Sequence, residues 1–357
     1  MRFRIRRIPL YILIAINLLM VVAMNFCAYT TCLNSQVYPN YSYFGMIFPA
    51  FLVINAAFLV FWLIVKRRYM LVSLVGMVAC AGDIRTFCPI NYPTEVPEGA
   101  IKVMSYNVMH FGGNDTVPWE ENEIVQYILR SQADIVCLQE SGGITEKRKK
   151  KVFDSIYPYI PMEENKKLSV NILSKYPILS CEQIPYESKG NGSYAYKILI
   201  GADTVLLINN HLESYKLNQK DKDDYKSIIQ DPEDEENEER YDSLIVKLKM
   251  ANTVRAAQAD SIVEYIRKTS CKYVICAGDF NAPSLSYTHY RLTRILNDAY
   301  TRSGNGVGFS YNRSGMYFRI DNILVSPNIT PYQAKVDAFS KRSDHYPIIS
   351  YLKFGAK

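Results

Sequence analysis

Lys272-Tyr273-Val274-Ile275-Cys276-Ala277-Gly278-Asp279-Phe280-Asn281 reads as a buried strand that ends in a glycine, a carboxylate and an amide. A short apolar run closed by glycine has the length and composition of a strand covered on both faces. Five further signatures follow the same rule. Ser105-Tyr106-Asn107 finishes the run from Ile101 to Val108. Leu138-Gln139-Glu140 finishes Asp134 to Leu138, and Asn209-Asn210-His211 finishes Thr204 to Ile208. Arg319-Ile320-Asp321 and Ser343-Asp344-His345 instead precede the runs Asn322 to Val325 and Ile348 to Leu352.

Between these strands the chain carries helical spacing. Glu123 to Arg130 places Ile124, Val125, Ile128 and Leu129 three and four apart, and Met250 to Lys268 aligns Val254, Ala257, Ser261 and Tyr265. Leu292, Ile295, Leu296 and Ala299 stripe another helix, and Val170 to Leu173 is one more strand. Alternating strands and helices define an α/β domain. In a mixed sheet the starts of some strands adjoin the ends of others. All six signatures can then meet on one rim.

Such a rim would hold four carboxylates, two histidines and two amides. Hard divalent cations take oxygen ligands. Glu140 is the leading metal ligand, with Asp344 as helper and Asn107 as a neutral amide oxygen for metal or phosphate. A cation there polarises phosphoryl oxygens. Asp279 is placed to deprotonate an attacking water. Asn281 can donate to the phosphate. His345 can protonate or hydrogen-bond a phosphoryl oxygen, with Asp321 holding its other ring nitrogen. His211 is a second phosphate contact. His110 and His289 lie outside the signatures and read as structural or surface residues.

The first ninety residues are of another kind. Ile8 to Tyr29 is apolar but for Asn17 and Asn25, and it follows the basic Met1 to Arg7. Phe44 to Val65 is a second such run, interrupted by Asn55. Each is long enough to cross a bilayer, and the first exceeds the apolar region of a signal peptide. Tyr69 to Gly82 is a shorter third run that ends at Asp83. Lys66-Arg67-Arg68 and the N-terminus carry the positive charge, whereas Thr31 to Tyr43 has none. The positive-inside rule puts both basic clusters in the cytoplasm. If the third run spans, the remaining chain lies outside the cytoplasm, which is the reading adopted. Pro89, Pro93, Pro97 and Gly99 mark a linker. The organisation expected is a membrane anchor over 1–90, a linker over 91–99 and a catalytic domain over 100–357.

Charge follows this division. Of 41 Lys and Arg and 35 Asp and Glu, Met1 to Gly99 holds 8 and 3, leaving 33 and 32. The net charge of +6 thus belongs mainly to the membrane end and argues against a basic nucleic-acid-binding surface. The acidic run Asp231 to Glu239 reads as a solvated surface loop within a polar insertion starting near Glu213. Asn191-Gly192-Ser193 reads as a hairpin turn. Eight cysteines are scattered with no Cys-x-x-Cys pair, and Cys137 and Cys276 read as small buried hydrophobes.

From Ile101 to Leu352 the chain resembles the endonuclease/exonuclease/phosphatase superfamily. Met104-Ser105-Tyr106-Asn107-Val108 is similar to its first motif, and Leu138-Gln139-Glu140 to its metal-binding motif. Asn171-Ile172-Leu173-Ser174-Lys175-Tyr176-Pro177-Ile178 resembles its central strand. The motifs around Asp279, Asp321 and His345 follow in the family's order. The resemblance implies a four-layer α/β/β/α sandwich of two mixed sheets, here preceded by transmembrane helices. It also implies Mg²⁺- or Mn²⁺-dependent phosphoester hydrolysis. Abasic endonucleases carry Asp where this chain has Met109 and Tyr where it has His211, so the likeness is to the deoxyribonuclease and sphingomyelinase branches. The three-segment apolar region is similar to a membrane-bound bacterial branch, for which the family implies no substrate; with the charge rule above, the catalytic domain is expected on the outer side of a bacterial plasma (inner) membrane. Nucleic acid and phospholipid or sphingolipid head groups are the substrate classes left open. Phosphomonoester hydrolysis on inositol or lipid phosphates, and a catalytically silent binding module, are the alternatives. No protein partner is indicated.

Overall fold

The computed structural model describes residues 8–113, 117–142, 144, 146–161, 170–188, 190–231, 237–313, 315–339 and 342–355. The basic residues 1–7 and the centre of the acidic run, 232–236, lie outside them.

Two mixed sheets pack face to face. One has the strand order β12 (Ile329–Val336), β13 (Ile348–Phe354), β1 (Ile101–Asn107), β2 (Ile135–Gln139), β3 (Asn171–Ser174). The other runs β4 (Ile178–Gln183), β5 (Gly192–Ile200), β6 (Asp203–His211), β7 (Tyr273–Asp279), β11 (Asp321–Val325), β8 (Asn297–Asp298). A hairpin of β9 (Tyr311–Arg313) and β10 (Met316–Phe318) lies beside them. Side chains alternate between the faces of a strand, and here both faces are covered. In β1, Ile101 and Val103 enter the core between the sheets, whereas Met104 and Tyr106 face outward to helix α5 (Glu123–Ser131). In β7, Tyr273, Ile275 and Ala277 point inward, and Val274 and Cys276 face helix α7 (Asn237–Lys268). Burial on both sides explains why these strands read as unbroken apolar runs. The result is helix, sheet, sheet, helix.

Helix α5 starts where the Asn122 side chain accepts from the amides of Ile124 and Val125, which satisfies donors a helix start leaves open. It buries Ile124, Val125 and Ile128 completely, each contributing about 1.5–3 kcal/mol by removal from water. Cys137 and Cys276 are fully buried as expected. Burial pushes the Cys276 thiol up to about 12.

The sheets are also joined by polar groups. Asn209 on β6 donates to the carbonyls of Leu138 (3.1 Å) and Asn171 (2.7 Å) of the opposite sheet. Its oxygen accepts from Gln139 Nε2 at 2.6 Å.

The insertion after Glu213 differs from the expected loop. It folds as α6 (Gln219–Gln230), started by a reciprocal cap between Asn218 and Asp221, and α7 begins at Asn237 rather than Met250. Ion pairs Lys247–Asp221 and Arg240–Asp224 hold the two helices together. A uniformly polar sequence conceals such helices because paired charges, not an apolar stripe, join them. Asn191-Gly192-Ser193 is likewise not the turn. Gly192 already pairs with His211 as β5 begins.

Two helices in the N-terminal part are long and apolar enough to cross a membrane: α1 (Ile8–Thr30) and α2 (Phe48–Val65). The third run forms α3 (Met70–Ala79) and α4 (Ala81–Phe87), which meet at a bend of 69°. The polar residues interrupting the apolar runs join the helices. Asn17 donates to Ser73 Oγ (2.9 Å) and accepts from Trp62 Nε1 (2.9 Å), and Asn55 donates to the Met20 carbonyl (3.0 Å). In a bilayer, where lipid would remove the hydrophobic drive for helix association, such bonds would hold helices together.

The segment between α1 and α2 lies on the α/β sandwich. Asn252 donates to the Ser42 carbonyl (3.0 Å), Thr253 to that of Ser35 (3.2 Å), and Gln36 to Asp260 (3.1 Å). Gly45 fits so closely that a Cβ there would stand 2.2 Å from the Leu285 carbonyl oxygen. The stretch from Asn91 to Thr94 is pinned to the sandwich as well, through Asn91 to Thr301 and Gly304 and through Gln333 to Thr94.

Asn209→Ala should leave Gln139 Nε2 with Ser105 alone and remove the side-chain donor from the Leu138 and Asn171 carbonyls. The expected cost is about 2 kcal/mol, read as a Tm lower by about 4–8 °C. An unchanged melting curve would show that the inter-sheet bridge contributes nothing.

Candidate functional site

Strand register brings the signatures together. The parallel pairing of β6 with β7 sets His211 beside Asp279, and the antiparallel pairing of β7 with β11 sets Asp321 on its other side. In the opposite sheet, parallel β1 and β2 set Asn107 beside Gln139, so Glu140 follows at the same edge. The Ser343 hydroxyl donates to the Asn107 carbonyl at 2.7 Å and fixes the entry to β13, which carries His345 to that rim.

Backbone strain marks the edge. Glu140 (φ 51°) and Asn281 (φ 49°) both lie in the left-handed region, a sparsely populated conformation for residues other than glycine. Gly278 has φ 134°, and a Cβ there would lie 2.1 Å from the Asn210 carbonyl oxygen. Only glycine lets β6 and β7 approach this closely ahead of Asp279.

Asp279 is buried at the centre. Its Oδ2 accepts from Asn107 Nδ2 (3.1 Å) and Asn281 Nδ2 (3.3 Å), and its Oδ1 accepts from the Asn281 amide (2.8 Å). The Nε2 atoms of His345 and His211 stand 3.7 and 3.8 Å from Oδ2. These gaps exceed hydrogen-bond length and admit a shared oxygen. Glu140, one-third exposed, lies 3.8 Å from His211 Nε2 and accepts from Asn107 Nδ2 at 3.2 Å.

Asp321 accepts at 2.8 Å from His345 Nδ1 and is wholly buried. Burial opposes the imidazolium, but the charges of Asp321 and Asp279 outweigh it and push His345 up to about 10. Asp321 is itself raised, by burial first and then by Asp279, against the pull of His345. Both shifts describe one buried pair that retains a proton through neutral pH. Its ring edge is covered by Tyr311, with centroids 5.2 Å apart.

Several expected roles change in detail. Asn107 Oδ1 accepts from the Met109 amide at 3.1 Å, so the amide turns its NH₂, not its oxygen, toward the two carboxylates. The Asn281 side chain donates to the Leu212 carbonyl (2.9 Å) as well as to Asp279, so it braces the carboxylate. Asp344 lines the cavity with Glu140, Asp279, Asn281 and His345. His289 is buried against Asp298, and His110 is exposed. Arg319 serves structure by binding Asp298 and the Thr86 carbonyl.

Among the described residues, Asp279, Asp321 and His345 offer atoms within 4.8 Å of one another. That grouping suits a metal by spacing, but His345 Nδ1 already binds Asp321. The more exposed oxygen set of Glu140 and Asp344 matches a hard divalent cation better. The structure also adds wall residues that no motif contains: Tyr311, the segment Ser214–Leu217, Lys222 and Met46. Their signal was absent because each lies on a short hairpin strand, on a one-turn helix or in the polar insertion.

Carboxylates and imidazoles at one rim of a mixed-sheet sandwich are suited to holding a cation and a phosphoester together. The sequence matches the endonuclease/exonuclease/phosphatase family over residues 104–345, and this chain belongs to that family. Residues 10–87 match a separate domain of unknown function. TDP2 of D. rerio complexed with single strand DNA product superposes with a TM-score of 0.52 at 17% identity, covering 72% of this chain and 100% of that one. The human Nocturnin catalytic domain with bound sulfate anion gives 0.51 at 16%, covering 73% and 96%. An endonuclease/exonuclease/phosphatase family protein from Bacteroides thetaiotaomicron gives 0.50 at 17%, covering 74% and 100%. At these identities the likeness is one of fold. Comparison with curated proteins finds no match.

In the metal-free protein the His345 ring should stay protonated through pH 8 and titrate toward 10. The sign follows from linkage. A raised histidine pKa adds stability in full below its ordinary value of about 6.5, and loses it as pH rises through the folded value. Nitrogen NMR of the ring checks this, and Asp321→Asn should lower the pKa. A wild-type ring that titrates at its ordinary value would contradict the assignment.

Proposed function

We propose that this chain is a membrane-anchored, Mg²⁺- or Mn²⁺-dependent phosphoester hydrolase acting chiefly on phosphodiesters. The observation that carries the reading is the buried Asp279, flanked by His211 and by the Asp321–His345 pair at one rim. Asp279 Oδ2 accepts the proton of a water held in the gap between it and the histidines. Asn107 and Asn281 hold that carboxylate in place. His345, kept protonated by Asp321, donates from Nε2 to a phosphoryl or leaving-group oxygen. His211 binds a second phosphoryl oxygen. Glu140, assisted by Asp344, would hold the cation, which when bound supplies charge neutralisation to the phosphate.

The anchor is assigned to residues 1–90, the linker to 91–99 and the catalytic domain to 100–357. In this reading the bent pair α3–α4 completes a third span. Support comes from the Thr31–Ile47 segment, which touches the sandwich, whereas Lys66–Arg68 lies at the far end of α2. The sandwich and the basic cluster then fall on opposite sides of the bilayer, and the positive-inside rule puts the sandwich outside the cytoplasm of a plasma membrane.

Full-length protein should hydrolyse a soluble aryl phosphodiester. Chelator should abolish turnover, and added Mg²⁺ or Mn²⁺ should restore it. Asp279→Ala should lower kcat/KM by about 10²–10⁴-fold. Chelator-resistant turnover, or an unimpaired Asp279→Ala enzyme, would refute the mechanism. For topology, a reporter active only outside the cytoplasm, fused after Pro97, should give signal. Activity of a cytoplasmic reporter alone would reverse the orientation.

A further inference from the structure

Two cavities share a wall where the apolar helices meet the sandwich. The site cavity, about 320 Å³, contains Glu140, Asp279 and His345 and is rimmed by Lys216 and Lys222. The second, about 250 Å³, is walled by Gly45, Met46 and Pro49 from the α1–α2 side, and by Val307 and Phe309 from the sandwich. Met46, Pro283 and Phe318 belong to both.

We infer that the second cavity binds a hydrocarbon chain of a membrane phospholipid whose phosphoester lies among His211, Asp279 and His345. The inference rests on the hydrolase reading above and adds the substrate class. Three observations carry it. First, the cavity is bounded by Pro49, in the first turn of apolar helix α2, so it lies where the start of an apolar helix meets the sandwich. With α2 in a bilayer, a lipid tail would have a short path to it. Second, its one lining guanidinium, Arg319, is already engaged by Asp298 and the Thr86 carbonyl. The walls are otherwise mostly apolar side chains, which favour buried methylenes. Third, the charge lies on the other side of the shared wall. Lys222 projects into the site cavity from α6, and Lys216 stands beside it with Glu213 as its partner at 2.7 Å. An anionic head group would meet cations and imidazoles there, and its tail would meet Met46, Phe318 and Phe309. The polarity of the paired cavities is thus that of an amphiphile.

Polynucleotide would be served poorly by this arrangement. Neutralisation of successive phosphates drives its binding, and the insertion beside the site offsets Lys216, Lys220, Lys222 and Lys226 with Glu213, Asp221, Asp223 and Asp224. Phe309 and Phe318 could instead stack a base, so the experiment includes that outcome.

The full-length chain is reconstituted into nanodiscs containing phosphatidylglycerol with a photoactivatable diazirine at the end of one acyl chain. Crosslinks are expected on the Val307–Phe318 segment as well as on the outer faces of α1 and α2. Val307→Trp, which fills only the second cavity, should reduce the Val307–Phe318 crosslinks about tenfold, as expected for excluding two or so methylenes. Labelling of the α1 and α2 faces in the same sample reports that the variant is folded and inserted. Crosslinks confined to the outer helix faces would overturn the inference. So would protection of the Val307–Phe318 segment by a single-stranded oligonucleotide but not by unlabelled lipid, which would assign the cavity to a base. Because the readout is crosslinking, it stands apart from turnover. Cavity labelling in a protein that hydrolyses no phosphodiester would sink the hydrolase reading and leave the chain-binding cavity standing.

Discussion

The site depends on the register of one strand. β7 pairs with β6 in parallel and with β11 in antiparallel fashion, and the two pairings set His211 and Asp321 on either side of Asp279. A slip of one residue would turn Asp279 to the opposite face of the sheet. Gly278 tightens the constraint, since the Asn210 carbonyl occupies the space of a Cβ. The left-handed Glu140 and Asn281 then stand at the ends of a tightly positioned frame. Strain at both is sustained because the sheets beneath are buried on both faces.

That frame was largely legible in the sequence. Strands covered on both sides need apolar residues at nearly every position. The runs ending at Asn107, Glu140, His211 and Asp279 therefore stood out, and so did the polar residues that end them. What the pattern did not reveal was how each polar side chain is turned. Asn107 and Glu140 lie on one rim, but the Met109 amide captures the Asn107 oxygen and leaves its NH₂ for the carboxylates. Asn209, inside a signature, bridges the sheets instead of facing the cavity. Such choices are made by backbone groups from elsewhere in the chain, and residue spacing carries no record of them.

The misread polar insertion has another cause. Helices α6 and α7 are polar over much of their joint surface and meet through Lys247–Asp221 and Arg240–Asp224. Hydrophobic periodicity is silent there, and composition alone suggested a solvated loop. In the apolar helices the reverse holds. Asn17, Asn25 and Asn55 interrupted otherwise uniform runs, and they prove to be the groups that tie α1, α2 and α3 together.

The apolar helices also help to shape the site cavity. Their connecting segment supplies Met46 to the wall of the site cavity, and it is tied to the residues that shape the opposite wall. Asn252, which binds the Ser42 carbonyl, accepts from the buried Arg255, and Arg255 in turn donates to the Glu213 carbonyl and lies over the Tyr215 ring at 4.1 Å. Glu213 and Tyr215 begin the Ser214–Leu217 wall. The α1–α2 segment thus forms part of one wall directly and is linked to the other through Asn252 and Arg255. A sandwich cut free at Ala100 would keep its strand register, and with it Asp279, His211 and Asp321. It would lose the Met46 wall and the Ser42 contact that helps hold Asn252. The chemistry belongs to the sheets, whereas the shape of the space in which it acts is set jointly with the apolar helices.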